Sequence, residues 1–287
     1  MDWLLALRPR HWLKNALVFA PAVAAHETSP ELYLDAARVF AALTLTASGT
    51  YLWNDLLDLP SDRRHQAKRL RPLAAGKVPL RPAAGLGAAL VAGGLLGAFL
   101  LSAGVGYCVL SYLAVTSVYS LWLKRTVFLD VVALALLFTV RVLAGASATE
   151  VALSHWFIAF SMFLFLTLAI VKRQRELYAV SAAGRSASEG RAYAAADLPV
   201  LGALGAASSV ASVLVLAFYI QSPSVAEQYA RPQVLWASCL PLLYWLGRMT
   251  LLANRGTVDD DPLVFAMGDA ASWLTLITIV AVFLVAL

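Results

Sequence analysis

The sequence predicts an all-α, polytopic membrane protein that forms a single transmembrane domain over residues 1–287. The chain is 61% hydrophobic and only 14% charged, a composition far from that of a soluble globular domain. Its mean hydropathy is +0.74. Long apolar stretches recur along it, and ~20 apolar residues are enough to cross the hydrocarbon core as a helix.

The apolar stretches predict nine transmembrane helices. In order, they are Trp12–Ala25, Leu34–Trp53, Pro82–Leu101, Val105–Leu121, Val127–Ser147, Ala152–Val171, Leu198–Ile220, Pro232–Leu252 and Ala271–Leu287. The first is short, contains Pro21 and ends in "AVAAHE", which resembles a signal-peptide cleavage site. Lys14 and Asn15 at its start favour a membrane helix instead. The third and fourth fit into an uncharged segment with a turn at "SAGVG".

The positions of the cations predict the orientation, because short cytoplasmic loops carry an excess of Lys and Arg. With the N-terminus inside and nine crossings, 19 of the 22 Lys and Arg residues fall on the cytoplasmic side. The net charge of +5 is then explained by topology and by affinity for anionic lipid or phosphate, without any nucleic acid. We therefore expect a multi-pass protein of the inner (plasma) membrane whose active site faces the cytoplasm.

One polar stretch, "NDLLDLPSDRRHQAKRLRP", interrupts the apolar sequence after the second predicted span. Asp55, Asp58 and Asp62 stand at i, i+3 and i+7, a spacing that would put three carboxylates on one face of a continuous helix. Pro60 predicts that the helix ends or kinks between Asp58 and Asp62, and that Leu59 leaves the helical region. The carboxylates would then line a break at the cytoplasmic mouth of the bundle.

Three neighbouring carboxylates without Cys or His predict a hard cation such as Mg²⁺, which commonly bridges carboxylates to substrate phosphates. Five cations follow at once: Arg63, Arg64, Lys68, Arg69 and Arg71. Metal and cations together suit a diphosphate leaving group, since both take up negative charge as the bond breaks. The alternative is a solvated loop whose acids cap helix ends and whose bases follow the positive-inside rule.

This stretch resembles the first Asp-rich motif of the UbiA superfamily of intramembrane prenyltransferases. The resemblance implies a nine-helix bundle that binds Mg²⁺-diphosphate in a cavity open to the membrane. Members typically carry a second Asp-x-x-x-Asp motif after the sixth helix, but "IVKRQREL" stands there in this chain. Lys172, Arg173, Arg175 and Glu176 replace the second acidic cluster. Fewer metal ions and direct phosphate binding through Lys and Arg are expected as a result.

Three further stretches, "LRPRHWLKN", "YSLWLKRTVFLD" and "VRVLAG", resemble the branch that includes decaprenyl-phosphate phosphoribosyltransferases. In that branch the donor is 5-phosphoribosyl diphosphate and a polyprenyl monophosphate is the acceptor. The resemblance suggests this reaction, because loss of diphosphate from an anomeric carbon develops positive charge much as loss from an allylic carbon does.

The resemblance and the motifs together predict the site residues. Asp55, Asp58 and Asp62 hold the metal with Asn54, and Asp130 orients the ribose. Substrate binding is assigned to Asn54 and to a larger set of mostly basic residues, with interfacial or structural roles open for several of them: Lys14, Asn15, Arg63, Lys68, Arg71, Tyr119, Lys124, Arg141, Lys172, Arg173 and Glu176. Asp130 and Arg141 are stronger candidates for a functional role, since ionisable groups inside a membrane span are rare and usually functional. They lie three turns apart on one helical face.

Two other functions fit parts of the same pattern. A conventional prenyltransferase would join a polyprenyl diphosphate to an aromatic or quinone precursor, and would need the second acidic motif. A lipid carrier without enzymatic activity would use the same charged cavity. A soluble phosphatase partner is suggested only by analogy with the branch. The pattern gives no prediction for prenyl chain length, downstream glycan, oligomeric state or the part played by residues 259–261.

Overall fold

The computed structural model describes residues 1–64, 68–184, 186, 192–259 and 261–287. The regular elements in these ranges are all helices, without a strand, which confirms the all-α class. The α-helices are α1 Asp2–Ala6, α2 Ala20–Ala24, α3 Pro30–Leu57, α4 Leu59–Arg64, α5 Leu80–Leu101, α6 Ala103–Leu121, α7 Leu129–Thr149, α8 His155–Ala182, α9 Leu198–Ile220, α10 Pro223–Gln228, α11 Cys239–Asn254, α12 Pro262–Gly268 and α13 Ala270–Ala286. Short 3₁₀ segments, of which Pro9–Phe19 is the longest, join several of them.

Six helices in the described part of the chain are long and apolar enough to cross a membrane. They are Leu80–Leu101, Ala103–Leu121, Leu129–Thr149, His155–Ala182, Ala195–Ile220 and Pro232–Asn254. A seventh span results if α12 and α13, which meet at an angle of 86°, are taken together. The prediction of nine spans is therefore not confirmed, whereas a multi-pass membrane protein is.

Two predicted spans account for the difference. Trp12–Ala25 is a 3₁₀ segment followed by the five-residue α2, so no continuous α-helix covers it. Each piece has a proline in its first turn. Proline is tolerated there because its missing N–H has no partner within the helix, but it would interrupt a single helix that ran through both pieces. Leu34–Trp53 does lie within one 28-residue helix, α3. That helix is less apolar than the other six because Thr, Ser and Gly interrupt its second half.

The chain divides into two compact units, of which the first comprises residues 1–121 and 140–152. Its centre is the packing of α3 against α5, made close by glycines. A Cβ atom on Gly49 would lie 2.6 Å from the Gly87 carbonyl oxygen, and one on Gly94 would lie 2.6 Å from that of Ala42. Small residues allow such close backbone approach between membrane helices, where van der Waals packing drives association.

Gly145 in α7 makes the tightest contact of this unit with the 3₁₀ segment. A Cβ atom there would lie 2.0 Å from the Val18 carbonyl oxygen. We expect Gly145→Ala to destabilise the protein by about 1–3 kcal/mol or more, because the backbone of one partner must move. Unfolding in detergent measures this. Gly97→Ala is the matched control, since its new methyl group meets nothing within 4 Å, and equal stability of the two variants would contradict the argument.

The second unit comprises residues 122–139 and 153–287. One apolar cluster joins the end of α9, the first half of α11 and the end of α13, and includes Leu216, Leu246 and Ala286. Another joins the start of α7 to α8 and α9 through Val131, Ile170 and Leu201. The second cluster packs beside the buried charged groups of this unit, so its rigidity fixes their positions.

Candidate functional site

The Asp-rich stretch occupies a break between two helices, as predicted. Helix α3 ends at Leu57, Asp58 is its C-cap, and α4 begins at Leu59. The prediction for Leu59 was wrong, because this residue is helical. Pro60 occupies the first turn of α4, where its missing N–H costs nothing. The break therefore falls at Asp58, and it separates Asp55 on one helix from Asp62 on the next.

Asp55 and Asp62 are buried and converge on arginine side chains. The Nη1 atom of Arg71 lies 3.2 Å from Asp55 Oδ1 and 2.5 Å from Asp62 Oδ2. Asp55 Oδ1 also accepts a hydrogen bond from Nη2 of Arg8. The two carboxylate side chains are only 4% and 3% exposed. Charge-assisted contacts of this kind are strong, and here they hold two acids on different helices close together.

This arrangement is compatible with a shared cation. Within the described ranges, no group of three His, Cys, Asp or Glu side chains forms a ready metal site. Nη1 of the positively charged Arg71 nevertheless contacts both carboxylates. A metal ion in the same place would also meet two carboxylate oxygens, the donor type that Mg²⁺ prefers. Asp58 is half-buried at the break between these two residues. The donor set thus fits a hard divalent ion.

The other predicted residues of this stretch lie around the buried pair. Asn54 is half-buried in the last turn of α3. Arg63 and Lys68 are exposed, and the structure describes neither His65 nor the two residues that follow it. These two cations lie at the surface, whereas the pair of acids is enclosed.

A second polar group of the first unit centres on Arg141, which is 4% exposed. Its Nε donates to Asn15 Oδ1 at 2.9 Å, and its Nη2 lies 3.3 Å from the Tyr112 hydroxyl oxygen. The guanidinium also stacks on the Tyr112 ring, 4.7 Å from its centre. Lys14 is buried beside Asn15 in the same 3₁₀ segment. The structure therefore brings together Asn15 and Arg141, which are 126 residues apart in sequence.

The basic stretch after the sixth predicted span is helical, because α8 continues to Ala182. Arg173 is 1% exposed and directed inward. Its Nη2 lies 2.5 Å from Oδ2 of the fully buried Asp130, and its Nη1 pairs with Glu176 one turn away. Lys172 is half-buried. Three predicted site residues are thus joined in one ion-pair cluster, defined as Asp130, Arg173 and Glu176.

Tyr193, which the sequence interpretation missed, completes this cluster. Its hydroxyl donates to Asp130 Oδ1 at 2.6 Å and accepts from the Phe128 N–H at 2.9 Å. Phe128 has a positive φ of 66°, so the turn before α7 is strained and held by this contact. Burial, and then the hydrogen bond to Asp130, raise the pKa of Tyr193. The phenol therefore stays protonated and keeps donating.

The second unit contains one further ion pair, which the sequence analysis did not single out. Arg248 binds Asp269 through both guanidinium nitrogens, at 2.6 and 2.9 Å, and Asp269 caps the start of α13. Asp261 caps α12 by accepting from the Leu263 N–H, while Asp260 lies outside the described residues. Lys124 is half-buried in a 3₁₀ turn. Tyr119, which belongs to the first unit, is half-buried near the end of α6.

Comparison with known proteins places these motifs in context. The profile of the UbiA prenyltransferase family matches residues 16–273. The nodulation protein NoeC of Azorhizobium caulinodans is 34% identical over 95% of this chain and 89% of its own length. The uncharacterised protein y4nM of Sinorhizobium fredii is 35% identical over the whole chain. This chain spans only 56% of the length of y4nM.

Two further similarities concern a named enzyme and the fold. The decaprenyl-phosphate phosphoribosyltransferase of Mycolicibacterium smegmatis is 39% identical over 60% of this chain and 56% of its own. A UbiA homologue of Archaeoglobus fulgidus, solved with DMAPP and Mg²⁺ bound, superposes with a TM-score of 0.67 at 19% identity, covering 98% of this chain and 99% of that one. At that identity the likeness establishes the helical fold alone.

Proposed function

This chain belongs to the UbiA prenyltransferase family, and from that premise we propose that it transfers 5-phosphoribosyl from phosphoribosyl diphosphate to a polyprenyl phosphate. The observation that carries the proposal is the pair of charged sites: one acidic cluster at Asp55 and Asp62, and a second motif in which a basic residue, Lys172, stands where the family usually has an acid. The acidic cluster suits one metal-bound diphosphate, and the basic residues suit two monophosphates.

The donor diphosphate is assigned to the Asp-rich break. Asp55, Asp58 and Asp62, with Asn54, would hold Mg²⁺, as the donor set of the site allows. When bound, the ion would neutralise charge on the departing diphosphate. Exposed Arg63 and Lys68 and the half-buried Arg71 supply further counter-charge to that group. We assign this site to the cytoplasmic side of the membrane, following the positive-inside pattern.

The acceptor phosphate is assigned to Lys14 and Arg141. Asn15 and Tyr112 hold the Arg141 guanidinium in one orientation, so this cation is positioned before any ligand arrives. Lys172, Lys124 and Tyr119 are assigned to the remaining phosphate and to the lipid headgroup. The acceptor oxygen is already anionic, so the attack on the anomeric carbon needs no strong general base.

The ion-pair cluster of Asp130, Arg173 and Glu176 receives a positioning role. Arg173 is enclosed between two carboxylates, and Tyr193 holds the third side of Asp130. Removing such a cation from its partners to bind a phosphate would leave a buried carboxylate uncompensated, which is costly. We therefore infer that the cluster fixes α7 against α8, and that its neighbour Lys172 is the member of this motif that contacts phosphate.

Turnover by purified protein tests the proposal. With Mg²⁺, radiolabelled phosphoribosyl diphosphate and a long-chain polyprenyl phosphate, we expect a labelled lipid that extracts into butanol and release of diphosphate. The label should stay in the aqueous phase when chelator is in excess or when the acceptor lipid is omitted. Lipid labelling that persists in chelator would contradict the metal assignment, and no labelling under any condition would contradict the reaction.

A second candidate function is transfer of a prenyl group from a polyprenyl diphosphate to an aromatic or quinone precursor. Two observations favour it: the family model that matches residues 16–273 is that of prenyltransferases, and similarity to a phosphoribosyltransferase covers only 60% of the chain. Incubation with polyprenyl diphosphate and 4-hydroxybenzoate separates the two, and a prenylated aromatic product without lipid phosphoribosylation would favour this candidate. Failure of both reactions, with polyprenyl phosphate bound but phosphoribosyl diphosphate not bound, would favour a lipid carrier.

A further inference from the structure

Arg8 stands at the Asp-rich break although no part of the sequence interpretation assigned it a role. It lies between α1 and the 3₁₀ segment, with its backbone in the left-handed region at φ 56° and ψ 62°. Non-glycine residues seldom adopt this conformation, and when they do the surrounding contacts hold them there. The family profile matches from residue 16 onward, and Arg8 belongs to the stretch "LRPRHWLKN", whose resemblance to the phosphoribosyltransferase branch gave this arginine no assigned role.

Two contacts fix the Arg8 guanidinium. Its Nη2 donates to Asp55 Oδ1, and its Cζ lies 5.0 Å from the centre of the Tyr51 ring. Tyr51 and Asp55 are one turn apart on α3, so a single helical face holds both the aromatic ring and the carboxylate. The N-terminal turn thus delivers a cation to the acidic cluster from a different part of the chain than Arg71 does.

The exposed fractions of these side chains indicate which of them an arriving ligand meets first. Arg8 and Arg71 are 23% and 30% exposed, whereas Asp55 and Asp62 are 4% and 3% exposed. The guanidiniums lie outside and the carboxylates beneath them. An arriving anion meets the guanidiniums first, while a metal ion reaches the carboxylates only after a guanidinium has moved.

We propose that Arg8 is a ligand for a phosphate group of the diphosphate donor and, before the donor binds, a counter-ion that competes with the metal for Asp55. The inference rests on the proposed function. With Asp58 the site holds three carboxylates against the guanidiniums of Arg8 and Arg71, so a divalent cation that binds alone brings more positive charge than these groups compensate. A metal-bound diphosphate would bring charge of both signs, so that the carboxylates would hold the metal and Arg8 would bind a phosphate oxygen. Metal and donor binding are therefore coupled.

The proposed role predicts that a substitution of Arg8 changes the affinity for metal and the affinity for donor in opposite directions. Both can be measured on the full chain in detergent. We expect Arg8→Gln to tighten Mn²⁺ binding in the absence of donor by about fivefold, because a competing cation is gone. The same variant should weaken binding of phosphoribosyl diphosphate, at saturating Mg²⁺ and without acceptor, by about tenfold or more. Electron paramagnetic resonance of free Mn²⁺ measures the first affinity and calorimetry the second. Neither requires turnover.

Two control variants distinguish a role of Arg8 in donor binding from a structural role. Arg10→Gln removes an exposed cation two residues away and should change neither affinity. Arg8→Lys keeps the charge and should restore part of the donor affinity, even where the Gln variant proves too unstable to measure. Loss of both affinities together would make Arg8 a structural support and overturn the proposal. So would tighter metal binding with unchanged donor binding, or no change in either.

The wild-type chain separates this inference from the proposed function. If it binds phosphoribosyl diphosphate and Arg8→Gln binds equally well, Arg8 is excluded and the proposed function stands. If the wild-type chain binds no phosphoribosyl diphosphate, the proposed function fails and Arg8 fails with it as a ligand of that donor.

Discussion

Asp62→Asn is expected to reduce turnover by about 10²–10³-fold while the protein still folds. The substitution keeps the shape of the side chain and its ability to accept a hydrogen bond from Arg71, which lies 2.5 Å away. It removes one of the two buried negative charges that would hold the metal. Loss of a single group that stabilises developing charge typically costs a factor of this size.

The same helix supplies a matched control for this experiment. Asp35 lies near the start of α3 and pairs with Arg38 at 2.6 Å, but both side chains are well exposed. Asp35→Asn removes an identical charge from an identical type of ion pair, far along α3 from the break, and should leave turnover within about twofold of wild type. Lipid labelling from radiolabelled phosphoribosyl diphosphate measures both variants. Near-normal turnover of Asp62→Asn would exclude the Asp-rich break as the metal site.

The parts of this fold that depend on local sequence were predictable. The span Leu198–Ile220 begins and ends at the predicted residues, because an uninterrupted apolar run bounded by polar segments sets the length of a membrane helix. A break after α3 was predicted from Pro60, and it falls at Asp58, since Pro60 lies in the first turn of the next helix and does not end the previous one. The N-terminal 3₁₀ segment was missed because hydropathy does not report which backbone geometry an apolar stretch adopts.

The contacts that build the candidate sites depend on distant parts of the chain. Arg8 reaches Asp55 across 47 residues and Tyr193 reaches Asp130 across 63. Neither pairing has a characteristic spacing, and an arginine before a proline or a tyrosine in a polar loop is common in any membrane protein. Asp130 was singled out because a carboxylate inside an apolar stretch is rare. The partners of Asp130 could be identified only from the structure, because the packing of distant parts of the chain brings them to it.

The ion-pair cluster leads to the second large expected effect, which concerns stability. Arg173→Met should destabilise the protein by about 3–5 kcal/mol, because it leaves the fully buried carboxylate of Asp130 with a hydrogen bond from Tyr193 but without its counter-ion. Equilibrium unfolding in detergent measures the change. Arg38→Met, which breaks an exposed pair, should cost at most about 1 kcal/mol.

A double substitution then distinguishes a structural cation from one that binds substrate. If Arg173 serves mainly to compensate Asp130, Asp130→Asn combined with Arg173→Met should recover much of the lost stability, because no buried charge of that pair remains unpaired. Turnover, measured below the unfolding temperature, should recover in parallel. If Arg173 instead binds a phosphate group, stability would recover but the affinity for phosphoribosyl diphosphate or polyprenyl phosphate would stay reduced, by about ten- to a hundredfold. That second result would return Arg173 to the substrate-binding role that its position in the sequence first suggested.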